Sequence, residues 1–226
     1  GTGYRDQWLG FDRAVRNFHL DSIAAEWREL EAVQQALIGL SKGWQLHLAN
    51  SMAVRYANFF NLKPKQGQVI VWGNRGTSGI DGCTSTMLGH ALNAPGQKHL
   101  LITGDVAFFY DRNALWHNYS MDNMRILLLN NRGGGIFRMI KGPREQAELE
   151  EHFVTQQASD AKLTAQQANW AHRSIHPAEE LLSGIDWLLD AAPGPRILEV
   201  FSDNFQAQKD MEAYREGVKQ ALQRIP

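Results

Sequence analysis

The sequence predicts an α/β fold: a parallel sheet of about six strands with helices on both faces. Three observations predict it. From residue 46 onward, short apolar runs alternate with helical stretches, the order that a parallel sheet with crossover helices requires. Ile126–Leu129 is an unbroken aliphatic run, which suits a strand buried on both faces. The 226 residues, 43% of them hydrophobic and including seven Trp and ten Phe, supply the core of one large domain with an appended helical segment.

The elements follow in order. Ile23, Trp27, Leu30, Val33 and Leu37 recur at three- and four-residue steps, predicting an amphipathic helix with Asp21 or Ser22 as its cap. Strands are expected at Leu46–Ala49, Val69–Trp72, Leu100–Thr103 (extending back to His99), Ile126–Asn130 and Ile197–Phe201. Helices are expected between them, near Ser51–Phe60, Cys83–Leu92, Asn113–Tyr119 and Pro177–Leu189. A final amphipathic helix runs from Phe205 through Met211, Tyr214, Val218 and Leu222. The polar stretch Lys141–Gln167 stands apart, with Leu149, Phe153 and Leu163 its few large apolar residues. It is either a lid over a site or a solvated helix around Glu145–Glu151.

Charge and cysteine content narrow the function classes. Lys+Arg of 23 against Asp+Glu of 24 gives a net charge of -1 with no long run of one sign, so no nucleic-acid partner is expected. Cys83 is the only cysteine, which excludes an internal disulfide and a multi-cysteine zinc site. No apolar stretch reaches the ~20 residues that span a bilayer, and no signal peptide is visible. A cytoplasmic protein is expected. The chain opens Gly1-Thr2-Gly3 without Met and reads as a piece of a longer protein.

The chemistry is concentrated between Gly104 and Phe137. One predicted strand ends in Gly104-Asp105, and the next ends in Asn130-Asn131, followed by Arg132 and Gly133–Gly135. In a parallel α/β sheet, ligands bind beyond the carboxyl ends of the strands. A carboxylate, an amide oxygen and a carbonyl exposed by a glycine turn are hard donors suited to Mg²⁺, which keeps further places for phosphate oxygens or water. The glycines let backbone amides approach a diphosphate, with a helix N-terminus beyond them. Asp105 and Asn131 are 26 positions apart (131 minus 105).

This pair resembles the signature of thiamin-diphosphate enzymes, a Gly-Asp-Gly followed some two dozen residues later by Asn-Asn. The resemblance implies Asp105, the Asn131 side chain and the Gly133 carbonyl as Mg²⁺ ligands. It implies further cofactor contacts from Ile80, Gly104, Val106, Ala107, Asn131 and Gly133, in the diphosphate-binding domain of the thiamin-diphosphate-binding fold. Val106 stands where most of the family has the third glycine, which bears on the backbone shape near the diphosphate. Ile80 matches the apolar residue that holds the cofactor bent. Asn50-Ser51-Met52-Ala53-Val54-Arg55, Gly73-Asn74-Arg75-Gly76-Thr77-Ser78-Gly79-Ile80-Asp81-Gly82, Tyr110-Asp111-Arg112-Asn113-Ala114-Leu115 and Gly133-Gly134-Gly135-Ile136-Phe137 then recur in order. Together they resemble the C-terminal part of the 2-succinyl-5-enolpyruvyl-6-hydroxy-3-cyclohexene-1-carboxylate synthase family of menaquinone biosynthesis. The similarity is dense from about Leu46 to Ile140.

The resemblance implies a transferase that decarboxylates 2-oxoglutarate and adds the succinyl-semialdehyde carbanion to isochorismate. Both substrates are dicarboxylates, and an arginine fork bonds a carboxylate at two points. Ser51 and Arg55, one helical turn apart, match positions for the succinyl carboxylate, and Arg75 matches one for isochorismate. Ile136, Phe137 and Ile140 match an apolar wall on the helix after the metal loop. Such a wall also excludes water, which favours loss of CO₂.

The family's catalytic glutamate comes from an N-terminal pyrimidine-binding domain of the same or a partner subunit, and no segment here resembles that domain. The expected organisation is a helical lead-in over 1–44, a diphosphate-binding domain over 45–226, and no catalytic residue in this chain. By itself the chain is expected to be inactive. A homodimer or homotetramer is expected for the full-length protein. Two other readings are a stand-alone, non-catalytic thiamin-diphosphate module and an acetolactate-synthase-like enzyme; the paired arginines count against both. His172 and His176, four apart, lack a third ligand for zinc. Cys83 reads as a buried small hydrophobe. Gly73–Gly82 lacks the dinucleotide spacing.

Overall fold

The computed structural model describes residues 2–22, 28–60, 68–176 and 180–224. Helices α1 (Thr2–Ser22) and α2 (Arg28–Gly39) precede the sheet. Six strands follow: β1 (Trp44–Leu48), β2 (Ile70–Gly73), β3 (Lys98–Gly104), β4 (Met124–Asn130), β5 (Ala171–Ile175) and β6 (Arg196–Phe201). All pairings are parallel, in the order β2-β1-β3-β4-β6-β5. Every residue of β1, β4 and β6 is buried, so both faces of the central sheet are covered. Leu100–Ile102 and Ile126–Leu128 form its fully buried centre. The five strands expected from apolar runs all occur. For β1, β3, β4 and β6 the reason is that a doubly covered strand has no solvent face to alternate with, whereas β2 is an edge strand whose four residues are exposed.

Helices α3 (Met52–Ala57), α4 (Cys83–Asn93), α5 (Asp105–Tyr110), α6 (Ile136–Met139), α7 (Lys162–Gln167), α8 (Leu181–Leu189) and α9 (Asn204–Gln223) complete the fold. Leu30, Val33 and Leu37 lie on the buried stripe of α2 and join the main core, whereas Ile23 and Trp27 lie outside the described residues. Asp21 and Ser22 end α1 rather than opening the next helix. Helix α9 is capped by Asp203, whose Oδ1 accepts from the N–H groups of Phe205 and Gln206 at 2.9 Å.

Four points differ from expectation. Asn113–Tyr119 is not a helix; a single 3₁₀ turn covers Arg112–Leu115 and irregular chain follows. Strand β5 was not anticipated, because it is an edge strand with one fully buried residue, Ile175, and no apolar alternation. It carries His172 in extended backbone, away from the helical spacing that would pair it with His176. Helix α6 has four residues, too short for an aligned terminal dipole to favour an anion strongly. The Lys141–Gln167 segment is not one long helix. It breaks into a 3₁₀ turn at Pro143–Glu145, a π-helical turn at Leu149–Val154, an extended stretch, and α7.

At the sheet's other flank His47 of β1 is buried, its Nε2 3.1 Å from His99 Nδ1 and its ring 5.1 Å from His90. Burial first, then His99 and His90, push the His47 imidazole down to about 3. Unfolded, it titrates near its usual ~6.5. Between those values the unfolded chain binds the proton and the folded chain does not, so this stability is complete above about pH 6.5 and is lost as pH falls towards 3. The loss of unfolding free energy between pH 7 and pH 5, measured with urea, should therefore shrink by about 1–2 kcal/mol in His47→Leu. An unchanged loss would show that the ring accepts its proton in place.

Candidate functional site

The strand order places β2 and β3 on opposite sides of β1, so the chain reverses direction across the sheet between them. A crevice opens beyond the carboxyl ends at such a point. It is a cleft of about 620 Å³. Asn50 and Ser51 follow β1, Arg75 follows β2, Asp105 follows β3 and Asn131 follows β4. The pairing of Gly104 with Leu129 brings the last two to the same edge. Ser51, Arg55, Arg75, Ile80, Gly104, Asp105, Val106, Ala107, Asn131, Gly133, Ile136 and Phe137 all line this one cleft. Ile140, expected in the apolar wall, is not among the lining residues; it is the extended C-cap of α6. Val106 has no left-handed φ, so a β-branched residue fits where a glycine was expected, and its amide helps to hold Asp105.

Backbone strain gathers here. Of the five non-glycine residues with positive φ among the described residues, Ser51, Ser78 and Thr155 line the cleft and Arg132 sits inside the Asn131–Gly133 turn. Such conformations persist only where surrounding structure imposes them, and they cluster at functional sites. Asn50 does part of this: its Nδ2 donates to the Ser78 carbonyl, and its Oδ1 accepts from Arg75 Nη1 at 2.5 Å.

The two arginines line one cleft, close enough for the charge of one to act on the other. Arg55 Nη1 donates to the Ser51 carbonyl at 2.6 Å, and neither Arg55 nor Arg75 forms an ion pair among the described residues. Burial, then the charge of Arg75, lowers the pKa of the Arg55 guanidinium. Two like charges at one cleft mouth destabilise each other unless an anion joins them.

Deeper in, the polar groups are oxygens. Asp105 is buried, and desolvation raises its carboxyl to about 6, even though Gln157 and the amides of Val106 and Gly133 bond it. Asn131 is also buried, and its Oδ1 has no hydrogen-bond partner among the described residues. An orphaned amide oxygen beside a buried carboxylate costs free energy unless a cation joins them. No group of three His, Cys, Asp or Glu side chains that could hold a metal occurs among the described residues. The donors therefore fit a hard cation that takes few protein oxygens and completes its shell from a ligand, as Mg²⁺ with a diphosphate does.

The Lys141–Gln167 segment covers this loop. Gly134 N–H donates to the Val154 carbonyl at 2.7 Å, and Gln157 N–H donates to the Arg132 carbonyl at 3.1 Å. A Cβ on Gly133 would lie 2.8 Å from the Val154 oxygen, and one on Gly134 2.7 Å from the Phe153 oxygen. Close approach of two backbones explains both glycines. Gln157 Nε2 donates to Asp105 Oδ2 at 2.7 Å and to Asn130 Oδ1 at 3.1 Å. Buried Arg138 clamps the cover through a bidentate pair with Glu150, while its Nε donates to Asn204 Oδ1 at 2.8 Å. Of the two readings of this segment, the cover describes the packing.

Sequence reasoning missed Glu29, Gln157, Arg138, Asn204 and Glu199. Glu199 is fully buried; it accepts from Asn130 Nδ2 at 2.7 Å and lies 2.9 Å from His172 Nε2. His172 is thus engaged by Glu199, and the His176 ring stacks on Phe201 at 4.7 Å; neither supports a zinc site. Cys83 is buried with its thiol pKa raised by desolvation, as expected of a packing residue. Among the described residues no helix is long and apolar enough to cross a membrane.

Comparison with known proteins agrees with this geometry. Residues 50–200 match the family described as "Thiamine pyrophosphate enzyme, C-terminal TPP binding domain". A 2-succinyl-5-enolpyruvyl-6-hydroxy-3-cyclohexene-1-carboxylate synthase of Cytophaga hutchinsonii is 40% identical over 92% of this chain and 36% of its own length. The synthase of Flavobacterium psychrophilum is 42% identical over 70% of this chain and 28% of its own length, and that of Porphyromonas gingivalis 35% identical over 95% and 37%. The chain spans about a third of the length of these curated relatives. With the metal-type oxygen set at the ends of β3 and β4 and a family match over most of the sheet, the chain belongs to the C-terminal TPP-binding domains of thiamine pyrophosphate enzymes.

Proposed function

We propose that this chain is the diphosphate-binding half of a 2-succinyl-5-enolpyruvyl-6-hydroxy-3-cyclohexene-1-carboxylate synthase, using Mg²⁺ and thiamin diphosphate to join a four-carbon fragment of 2-oxoglutarate to isochorismate. The observation that carries this reading is the pair Arg55 and Arg75. They share one cleft with Asp105 and Asn131 and bond to neutral oxygens alone in the described contacts. A module that only held the cofactor would gain nothing from two cations in one cleft, one of them, Arg55, partly desolvated; a site for dicarboxylates needs them.

Asp105, the Asn131 amide oxygen and the Gly133 carbonyl would hold the metal and through it the diphosphate. When bound, thiamin diphosphate supplies the nucleophilic carbon and the electron sink for decarboxylation. The protein's own part is binding, orientation and exclusion of water. Ile80, which lines the cleft, would hold the bound cofactor by apolar contact. Ser51 and Arg55 orient the succinyl carboxylate, and Arg75 serves the isochorismate side. Ile136 and Phe137, with Phe153 of the cover 5.6 Å from the Phe137 ring, give an apolar wall that disfavours the charged carboxylate to be lost. Glu29 is bonded at the metal end, so the glutamate for the pyrimidine ring is assigned to a pyrimidine-binding domain of the same or a partner subunit. Residues 45–226 form the diphosphate-binding domain in this reading, within a cytoplasmic homodimer or homotetramer.

Two outcomes test it. In protein containing both domains, Arg55→Ala should lower kcat/KM for 2-oxoglutarate by about 10²-fold, the loss of a charge-assisted bond of ~2–3 kcal/mol, with thiamin diphosphate affinity within about threefold. Collapse of cofactor affinity with unchanged substrate dependence would remove Arg55 from the substrate site. The 226-residue chain alone should bind Mg²⁺ and thiamin diphosphate weakly by calorimetry and release no CO₂ from 2-oxoglutarate. An added pyrimidine-binding domain should restore turnover to this chain but not to its Asp105→Ala variant. Full activity of the chain alone would show that it carries its own glutamate.

A further inference from the structure

We propose that Glu29, in the first turn of α2, is a positioning residue for the cation: it fixes the Asn131 amide so that Oδ1, and not Nδ2, faces the metal. Glu29 is 4% exposed and lies more than 100 residues before the loop that it serves. Its Oε1 accepts from Asn131 Nδ2 at 2.8 Å and from Ser202 Oγ at 2.7 Å, and its Oε2 accepts from Tyr56 Oη at 2.8 Å. Three donors from three parts of the chain thus hold one carboxylate.

The chemistry of the two groups decides the orientation. An ionised carboxylate has acceptors alone, so the atom of Asn131 turned to it must be the amide nitrogen. Turned the other way, the amide would set oxygen against oxygen and lose its bond. With Nδ2 held by Glu29, Oδ1 is the end of the amide left for a ligand; it is buried and unpartnered among the described residues, on a residue that lines the cleft. The main chain of Asn131 is fixed separately, since its carbonyl accepts from Asn204 Nδ2 at 3.1 Å. A free asparagine presents either end to a ligand, and only the oxygen end binds a cation. A tie between α2 and α3 alone would need Tyr56 and no second acceptor. A second buried carboxylate close enough to act on Asp105 is also a poor packing choice unless it serves a polar role.

The inference rests on the reading that Asp105 and Asn131 hold Mg²⁺, and the test separates the two. Mn²⁺ binding to the 226-residue chain with thiamin diphosphate is followed by electron paramagnetic resonance, and Mg²⁺ binding by calorimetry. Glu29→Met should lose at least tenfold in affinity for both ions. Glu29→Gln should stay within about threefold, because one amide oxygen still accepts from Asn131. In an Asn131→Ala background neither substitution should change affinity more than twofold, since Glu29 acts through that side chain. The same loss in both backgrounds, equal loss in Glu29→Gln and Glu29→Met, or no loss in a folded Glu29→Met would each overturn the proposal. If Glu29→Met does not fold, Tyr56→Phe keeps the carboxylate but removes an anchor. It should weaken binding about threefold with Asn131 present and not without it; no loss would overturn the proposal. Failure of the parent chain to bind, or binding that Asp105→Ala leaves intact, would overturn the metal reading and this inference together. Parent binding that Asp105→Ala abolishes and Glu29→Met leaves untouched would overturn the inference alone.

Discussion

The parallel pairing of β3 with β4, Gly104 opposite Leu129, is the constraint on which the rest of the site depends. It brings a strand-ending carboxylate and a strand-ending amide to one end of the buried central strands, where neither is solvated. Buried polar atoms must be paired, and nearly every other feature of this end of the molecule follows from that requirement. Gln157 reaches Asp105 from the cover, Glu29 reaches Asn131 from α2, and Asn204 reaches the Asn131 carbonyl from α9. What these contacts leave over is the Asn131 side-chain oxygen, buried and without a hydrogen-bond partner among the described residues.

The supports come from both ends of the chain, which gives the lead-in helix a role in the site. Helix α2 buries Leu30, Val33 and Leu37 in the common core, and Glu29 rides on that packing. Arg138 plays the matching part on the other side, linking the cover through Glu150 to α9 through Asn204, with its guanidinium 3.7 Å from the Phe205 ring. A network whose members are all satisfied rigidifies what it surrounds. A metal site needs that rigidity, because its ligands act through fixed positions and supporting bonds rather than through charge alone.

Strands β1, β3 and β4 were legible because doubly buried strands are written as apolar runs, β2 through its apolar run although it is exposed, and Asp105, Asn131, Arg55 and Arg75 because they stand in dense motifs. Strand β5 was illegible for the opposite reason: an edge strand such as Ala171–Ile175 borrows its order from β6 and needs no pattern of its own. The supporting residues have no motif, since each acts across 12 to 173 positions of sequence. Gln157 and Arg138 are isolated polar residues whose partners are set by tertiary packing. Glu29 had one readable signal. It stands on the same helical stripe as Ala32, Val33 and Ala36, all buried, and a carboxylate on a buried stripe calls for donors. Val106 shows the limit of motif reasoning from the other side, since its backbone does not use the freedom that a glycine would give.

The most direct test of the central claim is a paramagnetic NMR titration of the isotopically labelled chain with Mn²⁺ and thiamin diphosphate. Broadening should be strongest at the amides of Val106, Asn131, Gly133 and Gly134 and at the Asn131 side-chain amide, whose protons, before Mn²⁺ is added, should exchange slowly with solvent because Glu29 holds them. Broadening centred elsewhere, at the His172–His176 strand or along β2, or an Asn131 amide that exchanges freely, would contradict the account.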